Sequence, residues 1–290
     1  MRAKMFTRLL GRKEKQGKPY FLSVGAIFKN EAHIFDEWIS HHMLHGVEHF
    51  YLVDNGSTDA INEVLKPYIA RGIVTLARDE RKYAQMAIYN EQILPLAKKE
   101  SEWLAIIDLD EFLYARNGQK ITDILQKHPF TVGIVAPWLE FGTNGNIAQP
   151  KSVVQSCVKR KAYTETTCIE VKTVVRTHAV KALKIHHHKY HFMRGATGRG
   201  LLRFFGKHWR ILTKMSFMLI DEKWIEQHKG LVINHYLLQS LEFFRNVKMV
   251  RGDLSCQGDD HTRDMRYFRE RNRNEVEDRT LALLNANQKC

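Results

Sequence analysis

Two aspartates one residue apart, Asp108 and Asp110, follow the apolar run 103–107 and lead straight into Glu111. If that run is a strand, alternation turns Asp108 and Asp110 to the same side at its carboxyl end. Two carboxylates held together repel unless a cation lies between them, and oxygen ligands of this kind suit Mg²⁺ or Mn²⁺. A metal there would grip a diphosphate and neutralise the charge that grows as it leaves. Two more polar clusters end apolar runs: Lys29, Asn30 and Glu31 after residues 21–28, and Asp54, Asn55, Gly56, Ser57, Thr58 and Asp59 after residues 49–53. Short carboxylate and amide side chains at strand ends suit a ribose and a base edge. They also suit plain structural work, with Gly56 in a turn and Ser57, Thr58 or Asp59 capping the next helix. The chain has neither GxGxxG after its first strand nor GxxxxGK[ST], so a dinucleotide fingerprint and a P-loop are both excluded.

The elements that must position these clusters alternate. Strands are expected at 21–28, 49–53, 73–77 and 103–107, and helices at 31–45, stopped by Gly46, then up to residue 70, and at 83–99, where Pro95 should bend or end the helix. Such alternation in about 90 residues indicates a parallel α/β sheet, with the functional loops at the strands' carboxyl edge. Past Glu111 the rhythm loosens into a helix near 121–127, a strand at 131–137, a Thr/Val-rich stretch at 153–180, a basic His- and Gly-rich loop at 186–207 and helices over 240–287. The division expected is a basic segment 1–18, a first half 19–137 that carries the strand-end clusters and a second half 138–290, the halves forming one continuous domain.

The chain has 290 residues, of which 44% are hydrophobic, enough for a large core, and this excludes wholesale disorder. Forty-five Lys and Arg against 32 Asp and Glu give a net charge of +13, which favours anionic partners. No run reaches the length of a membrane span and the N-terminus lacks a signal peptide, so the expectation is a soluble, cytoplasmic protein. Residues 1–18 carry Met5, Phe6, Leu9 and Leu10 among basic residues, which suits peripheral contact with an anionic membrane on the inner face of the plasma membrane. Cys157, Cys168, Cys256 and Cys290 are too scattered for a disulfide scaffold or a zinc site and read as thiols.

The series KNE, EW, HFYLVDNGSTD, a Gln/Asn-bearing helix and WLAIIDLDEF resembles the nucleotide-sugar glycosyltransferases of the GT-A fold, most of all glycosyltransferase family 92 and the neighbouring family 2. The resemblance continues through Trp138, Phe141, Gly142, Gly145, Lys172, the Asn234-His235-Tyr236 segment, Lys248, Arg251, Gly252, Tyr267, Phe268, Asn274 and Asp278, over roughly residues 20–282. It implies an α/β fold of GT-A type: a mostly parallel, Rossmann-like nucleotide-sugar sheet flanked by helices, with a smaller mixed β and helical C-terminal part.

By position, the resemblance makes Glu31 and Asp54 uridine contacts, with Lys29, Asn30, Asn55, Ser57 and Leu109 around the nucleotide sugar and Gln85 and Asn90 as further contacts. Asp110 becomes the principal ligand of Mn²⁺ or Mg²⁺ and Asp108 its companion, with His235 completing the shell and His188 or His186 as rivals. Lys248 and Arg251 would place positive charge on the diphosphate. Inversion at the anomeric centre calls for a base, for which Asp260 and Glu140 are the candidates. The loop 191–200, with Arg194 and Arg199, is suited to closing over the donor or meeting an anionic acceptor.

The activity expected is metal-dependent, inverting transfer of a hexose or N-acetylhexosamine from a UDP-sugar to a saccharide or lipid-linked saccharide, in bacterial lipopolysaccharide or surface polysaccharide synthesis. The rivals are a metal-dependent nucleotidyl or phosphoryl transferase and a basic nucleic-acid binding protein. The second is disfavoured because aromatics do not interleave with the basic residues, so nucleic acid is not an expected partner.

Overall fold

The computed structural model describes residues 17–165, 167–185, 188–190, 201–203, 209–211, 217–251 and 263–287. Residues 1–16 of the basic segment, His186, Arg194, Arg199, Cys256, Asp260 and Cys290 lie outside these residues.

Strands β1 (Tyr20–Phe28), β2 (His49–Asp54), β3 (Val74–Arg78) and β4 (Ser101–Ile106) form a parallel unit in which β1 lies between β2 and β4, and β3 flanks β2. The apolar runs of β1, β2 and β4 are buried on both faces, while β3, at the sheet edge, is partly exposed. On β2, Phe50 and Leu52 enter one core with Trp38, Phe112 and Tyr236, while Tyr51 and Val53 enter a second with Tyr89, Ile93 and Ile106.

A 3₁₀ turn (Ala32–Ile34) leads into α1 (Phe35–Leu44), which buries Phe35, Trp38 and Ile39. Gly46 ends it at φ +98°, a left-handed conformation that glycine adopts without a Cβ clash. Helix α2 (Ile61–Ala70) begins after Ala60 with no side-chain cap. The capping expected of Ser57, Thr58 or Asp59 is thus corrected: Asp59 accepts from the Ala32 N–H at 2.8 Å and Ser57 Oγ from the Asn30 N–H at 2.9 Å, tying the end of β2 to the end of β1.

Helix α3 (Gln85–Ile88), a π-helical turn (Tyr89–Ile93) and α4 (Leu94–Glu100) run on from one another. Pro95 falls in the first turn of α4, directly after the π-helical turn, so the helix passes the position where the sequence suggested a bend or an end. This helix lies close to β1 because Gly25 has no side chain; a Cβ there would stand 2.7 Å from both Ile93 Cγ2 and Ile106 Cδ1.

The second half is mixed. It comprises β5 (Glu111–Ala115), α5 (Ile121–Gln126), β6 (Gly133–Glu140), α6 (Val153–Ser156), β7 (Lys159–Arg160), β8 (Cys168–Arg176), β9 (Val180–Ala182), β10 (Lys189–Tyr190), β11 (Leu201–Arg203), β12 (Trp209–Ile211), β13 (Phe217–Leu219), α7 (Glu222–Gln227) and β14 (Leu231–His235). Then come α8 (Leu241–Phe243), a second π-helical turn (Phe244–Lys248), α9 (Met249–Arg251), α10 (Met265–Arg271), β15 (Val276–Glu277) and α11 (Thr280–Asn287). Among the described residues the main sheet has eleven strands, in the order β12-β11-β6-β8-β4-β1-β2-β3, with β13 on β8 and β14 joining β5 to β6. Strand β8 is antiparallel to both β4 and β6, so the sheet changes sense there. The α/β class expected from the sequence is observed, parallel in β1–β4 and mixed beyond. Strand β6 runs straight across residues 137–138, so both halves share one sheet.

No helix among the described residues is long and apolar enough to cross a membrane.

Candidate active site

The carboxyl ends of β1, β2 and β4 bring Glu31, Asp54 and the Asp108–Glu111 segment to one edge. Strand β4 stops at Ile106 and β5 starts at Glu111, so Asp108 and Asp110 stand in a turn closed by the Glu111 N–H on the Asp108 carbonyl at 3.1 Å. Strand alternation, expected to point both aspartates one way, therefore does not apply, and they find different partners.

Asp110 is buried, and its Oδ2 accepts from Lys248 Nζ at 2.6 Å while its Oδ1 lies 3.6 Å from His235 Nε2. Burial alone would raise its pKa, but Lys248 and His235 outweigh that and hold the carboxyl well below the usual range. The same pairing lifts His235 above an ordinary histidine even though burial works against its charged form. Lys248, wholly buried, moves the other way, because desolvation exceeds the pull of Asp110 and Glu31. Asp108 Oδ2 instead accepts from Lys172 Nζ at 3.1 Å, and the same ammonium lies 3.3 Å from Glu111 Oε1. Burial pushes the Glu111 carboxyl up to about 8, with Lys172 offsetting part of that effect. Trp138 joins the two halves of this arrangement: its ring is 4.3 Å from the His235 ring, and Lys172 Nζ sits 5.5 Å from its centre.

Lys248 and Arg251 arrive through the second π-helical turn. Arg251 pairs with Glu31 and donates to the Lys29 carbonyl at 3.1 Å, so it fastens the C-terminal half to the end of β1. Glu31 Oε2 and Arg251 Nε are buried with no hydrogen-bond partner among the described residues, leaving polar capacity beside the strand ends.

The remaining expected nucleotide residues are largely occupied within the protein. Asp54 accepts from the Ser57 N–H at 2.7 Å and from Arg78 at 2.8 Å. Asn30, at φ +56°, accepts from the Thr58 N–H at 2.8 Å. Asn55 donates to the carbonyls of Asp79 and Arg81 at 2.6 and 3.1 Å. Asn90 donates to the Met86 and Leu183 carbonyls and accepts from the Leu183 N–H. Gln85 donates to Tyr89 Oη at 2.8 Å, and with Ile27, Asn55, Arg81, Ala84 and Ile88 it lines a shallow opening beside the carboxyl ends of β1 and β2. The Leu109 side chain belongs to the core, so only its backbone faces the turn.

Among the described residues no three His, Cys, Asp or Glu side chains gather as a metal cluster. Asp110 and His235 come together; Asp108 stays with Lys172. His188 is buried and its Nδ1 accepts from the Lys184 N–H at 3.1 Å. Glu140, opposite His235 in the β6–β14 register, has Arg271 at 3.2 Å and Lys161 at 3.7 Å. The sequence reading gave no role to Lys172 or Arg78. The signal for Lys172 was a lone lysine in the alternating strand Ile169-Glu170-Val171-Lys172-Thr173-Val174, where a buried charge needs a buried partner.

The model of glycosyltransferase family 92 matches residues 18–278. The chain belongs to glycosyltransferase family 92. A family 92 protein of Oryza sativa subsp. japonica is 29% identical over 147 residues, 47% of this chain and 24% of that protein. One from Ricinus communis is 33% identical over 104 residues, 36% of this chain and 18% of its own length. The chain thus spans a quarter or less of these family 92 relatives. Among solved structures, S. aureus TarS is 17% identical with a TM-score of 0.36, over 54% of this chain and 28% of TarS. The mannosyltransferase PcManGT from Pyrobaculum calidifontis, solved in complex with GDP-Man and Mn²⁺, is 17% identical with a TM-score of 0.33, over 42% of this chain and 36% of its own.

Proposed function

We propose that this family 92 chain transfers a hexose or N-acetylhexosamine, with inversion, from a UDP-sugar to a glycan hydroxyl. The observation that carries this reading is the convergence on Asp110 of His235 and Lys248, from two elements of the C-terminal half, beside Glu31 and Arg251 at the end of β1. The residues fit a divalent cation: Asp110 Oδ1 and His235 Nε2, 3.6 Å apart, are a carboxylate oxygen and an imidazole nitrogen, donors that Mn²⁺ or Mg²⁺ accepts. Bound there, such an ion would supply charge neutralisation to the departing diphosphate. Lys248, on the other Asp110 oxygen, holds that carboxylate in place and brings an ammonium to the same position. Glu31 Oε2, buried and unpartnered among the described residues, can accept from a uridine or ribose donor. Lys172 fixes Asp108, whose carboxylate is partly exposed and so open to a ligand.

The net charge of +13 supports an anionic saccharide or lipid-linked acceptor and peripheral contact with an anionic surface. The curated relatives come from plants, and the bacterial lipopolysaccharide setting gains no support from them.

The test is UDP release from a panel of UDP-hexoses and UDP-N-acetylhexosamines with Mn²⁺, comparing wild type, Asp110→Ala and an EDTA control. Release from one donor, abolished by EDTA and by the substitution, is expected. Absence of both release and UDP binding by the wild type would overturn the reading.

A further inference from the structure

An inverting transfer needs a group to take the acceptor's proton, and the sequence offered Asp260 and Glu140 for that task. The sheet brings forward another acid. On β8, Glu170 and Lys172 are two residues apart and so share a face. That face looks at the Asp108 turn, because Lys172 reaches Asp108 from it. From β6 the same face receives Trp138, which packs against both Lys172 and His235. Glu170 is half-buried on this face, one alternation beyond Lys172, with His235, Lys172, Arg271 and Glu140 as the charged groups around it. Glu170 thus lies on the same sheet face as Lys172 and Trp138, the face from which Lys172 reaches Asp108 and Trp138 packs on His235.

We propose that Glu170 is the general base, its carboxylate taking the proton of the acceptor hydroxyl as that oxygen attacks the anomeric carbon. The bond from the acceptor oxygen to the anomeric carbon forms and the bond from that carbon to the β-phosphate oxygen breaks. The electron pair leaves with the nucleoside diphosphate, and the proton stays on Glu170. Burial pushes the Glu170 carboxyl up, with His235, Lys172 and Arg271 offsetting part of the effect, so it binds a proton more readily than an ordinary glutamate.

This inference rests on the glycosyl-transfer reading, and the experiment separates the two. Donor hydrolysis, with water as acceptor, is followed as UDP release for wild type and Glu170→Gln at saturating UDP-sugar and Mn²⁺, with and without sodium azide. Azide attacks the anomeric carbon without a proton to lose, so it bypasses a missing base. The expected result for Glu170→Gln is a fall in kcat of roughly 10²–10⁴-fold, with UDP affinity unchanged and release restored by azide as a glycosyl azide forms. A kcat close to wild type, a loss that azide does not restore, or lost UDP binding would overturn the assignment while leaving the transferase reading intact. A wild type that releases UDP from no donor would remove that reading and this inference with it. Should Glu170→Gln fail to fold, Glu170→Asp decides: kcat falling about tenfold or more at unchanged UDP affinity supports the base, and unchanged kcat excludes it.

Discussion

The strand ends of β1 and β2 and the turn after β4 are built from the same residue types, yet they settle their polar groups in opposite ways. At β1 and β2, Asn30, Asp54, Asn55, Ser57 and Asp59 bond mainly to backbone groups of the neighbouring loop, within about one strand-helix unit of themselves. At the turn, Asp108 and Asp110 meet buried ammonium groups that arrive 64 and 138 residues later. The first region is therefore a frame that closes on local hydrogen bonds. The second is assembled only when β8 and the second π-helical turn are in place, so it should be far more sensitive to loss of a single side chain.

The largest effect should come from Lys172→Met. It leaves the Asp108 carboxylate without its cation and the buried Glu111 carboxyl without its polar partner, and each group left unsatisfied costs about 1–3 kcal/mol. Chemical denaturation should show that loss, and Lys172→Met/Glu111→Gln should recover part of it. If Lys172→Met unfolds no more easily than Asn55→Ala in the frame, the contrast between the regions is broken.

Acid titration probes the frame's underside. His41 and His42, on α1, are buried neutral against the Leu113 and Trp38 carbonyls, with His45 and Asn285 beside them. Desolvation lowers His42 to about 3 and His41 well below its usual value. Both folded values lie under the unfolded one, so the stabilisation is complete above pH 6.5 and is lost as pH falls, the unfolded chain binding protons the native one refuses. His42 alone should cost about 2 kcal/mol between pH 6.5 and 5. A flat stability profile over that interval would show that α1 opens to water.

Smaller still is Asn55→Ala, which leaves the Asp79 and Arg81 carbonyls without their donor and should cost about 1–2 kcal/mol in the same denaturation assay. The smallest is Arg78→Ala: the Arg78 side chain is 50% exposed, and such a pair is worth about 1 kcal/mol or less. A loss on Arg78→Ala as large as that on Lys172→Met would mean that the strand ends are organised by charge after all.

The same contrast explains what the sequence disclosed. The runs forming β1–β4 and α1–α4 were legible because both-face burial and helical spacing leave local patterns, and Gly46 marked the stop of α1. The turn at Asp108–Glu111 was legible as chemistry, and the strand before it was expected to end at 107, one residue past its observed end; the error was to carry strand alternation beyond that end to Asp108 and Asp110. Lys172 and Arg78 were not read as partners, since a lysine finds its carboxylate through β8's antiparallel register with β4 and β6, which one-dimensional spacing does not encode. Asp59 went elsewhere for a related reason: two peptide N–H donors compete for it, and the one across the strand end wins.

The π-helical turn Phe244–Lys248 makes this stretch of chain length-critical. A π-helical turn is equivalent to one residue inserted into an α-helix. Inserting one further residue ahead of Lys248, with no second bulge to absorb it, would rotate the residues after it by about 100°, carrying Arg251 away from Glu31 and drawing Lys248 off Asp110 while both basic side chains remain present. Here the reading frame of the helix, counted in single residues, is itself a component of the candidate active site, and insertions rather than substitutions are the changes this segment is least able to absorb.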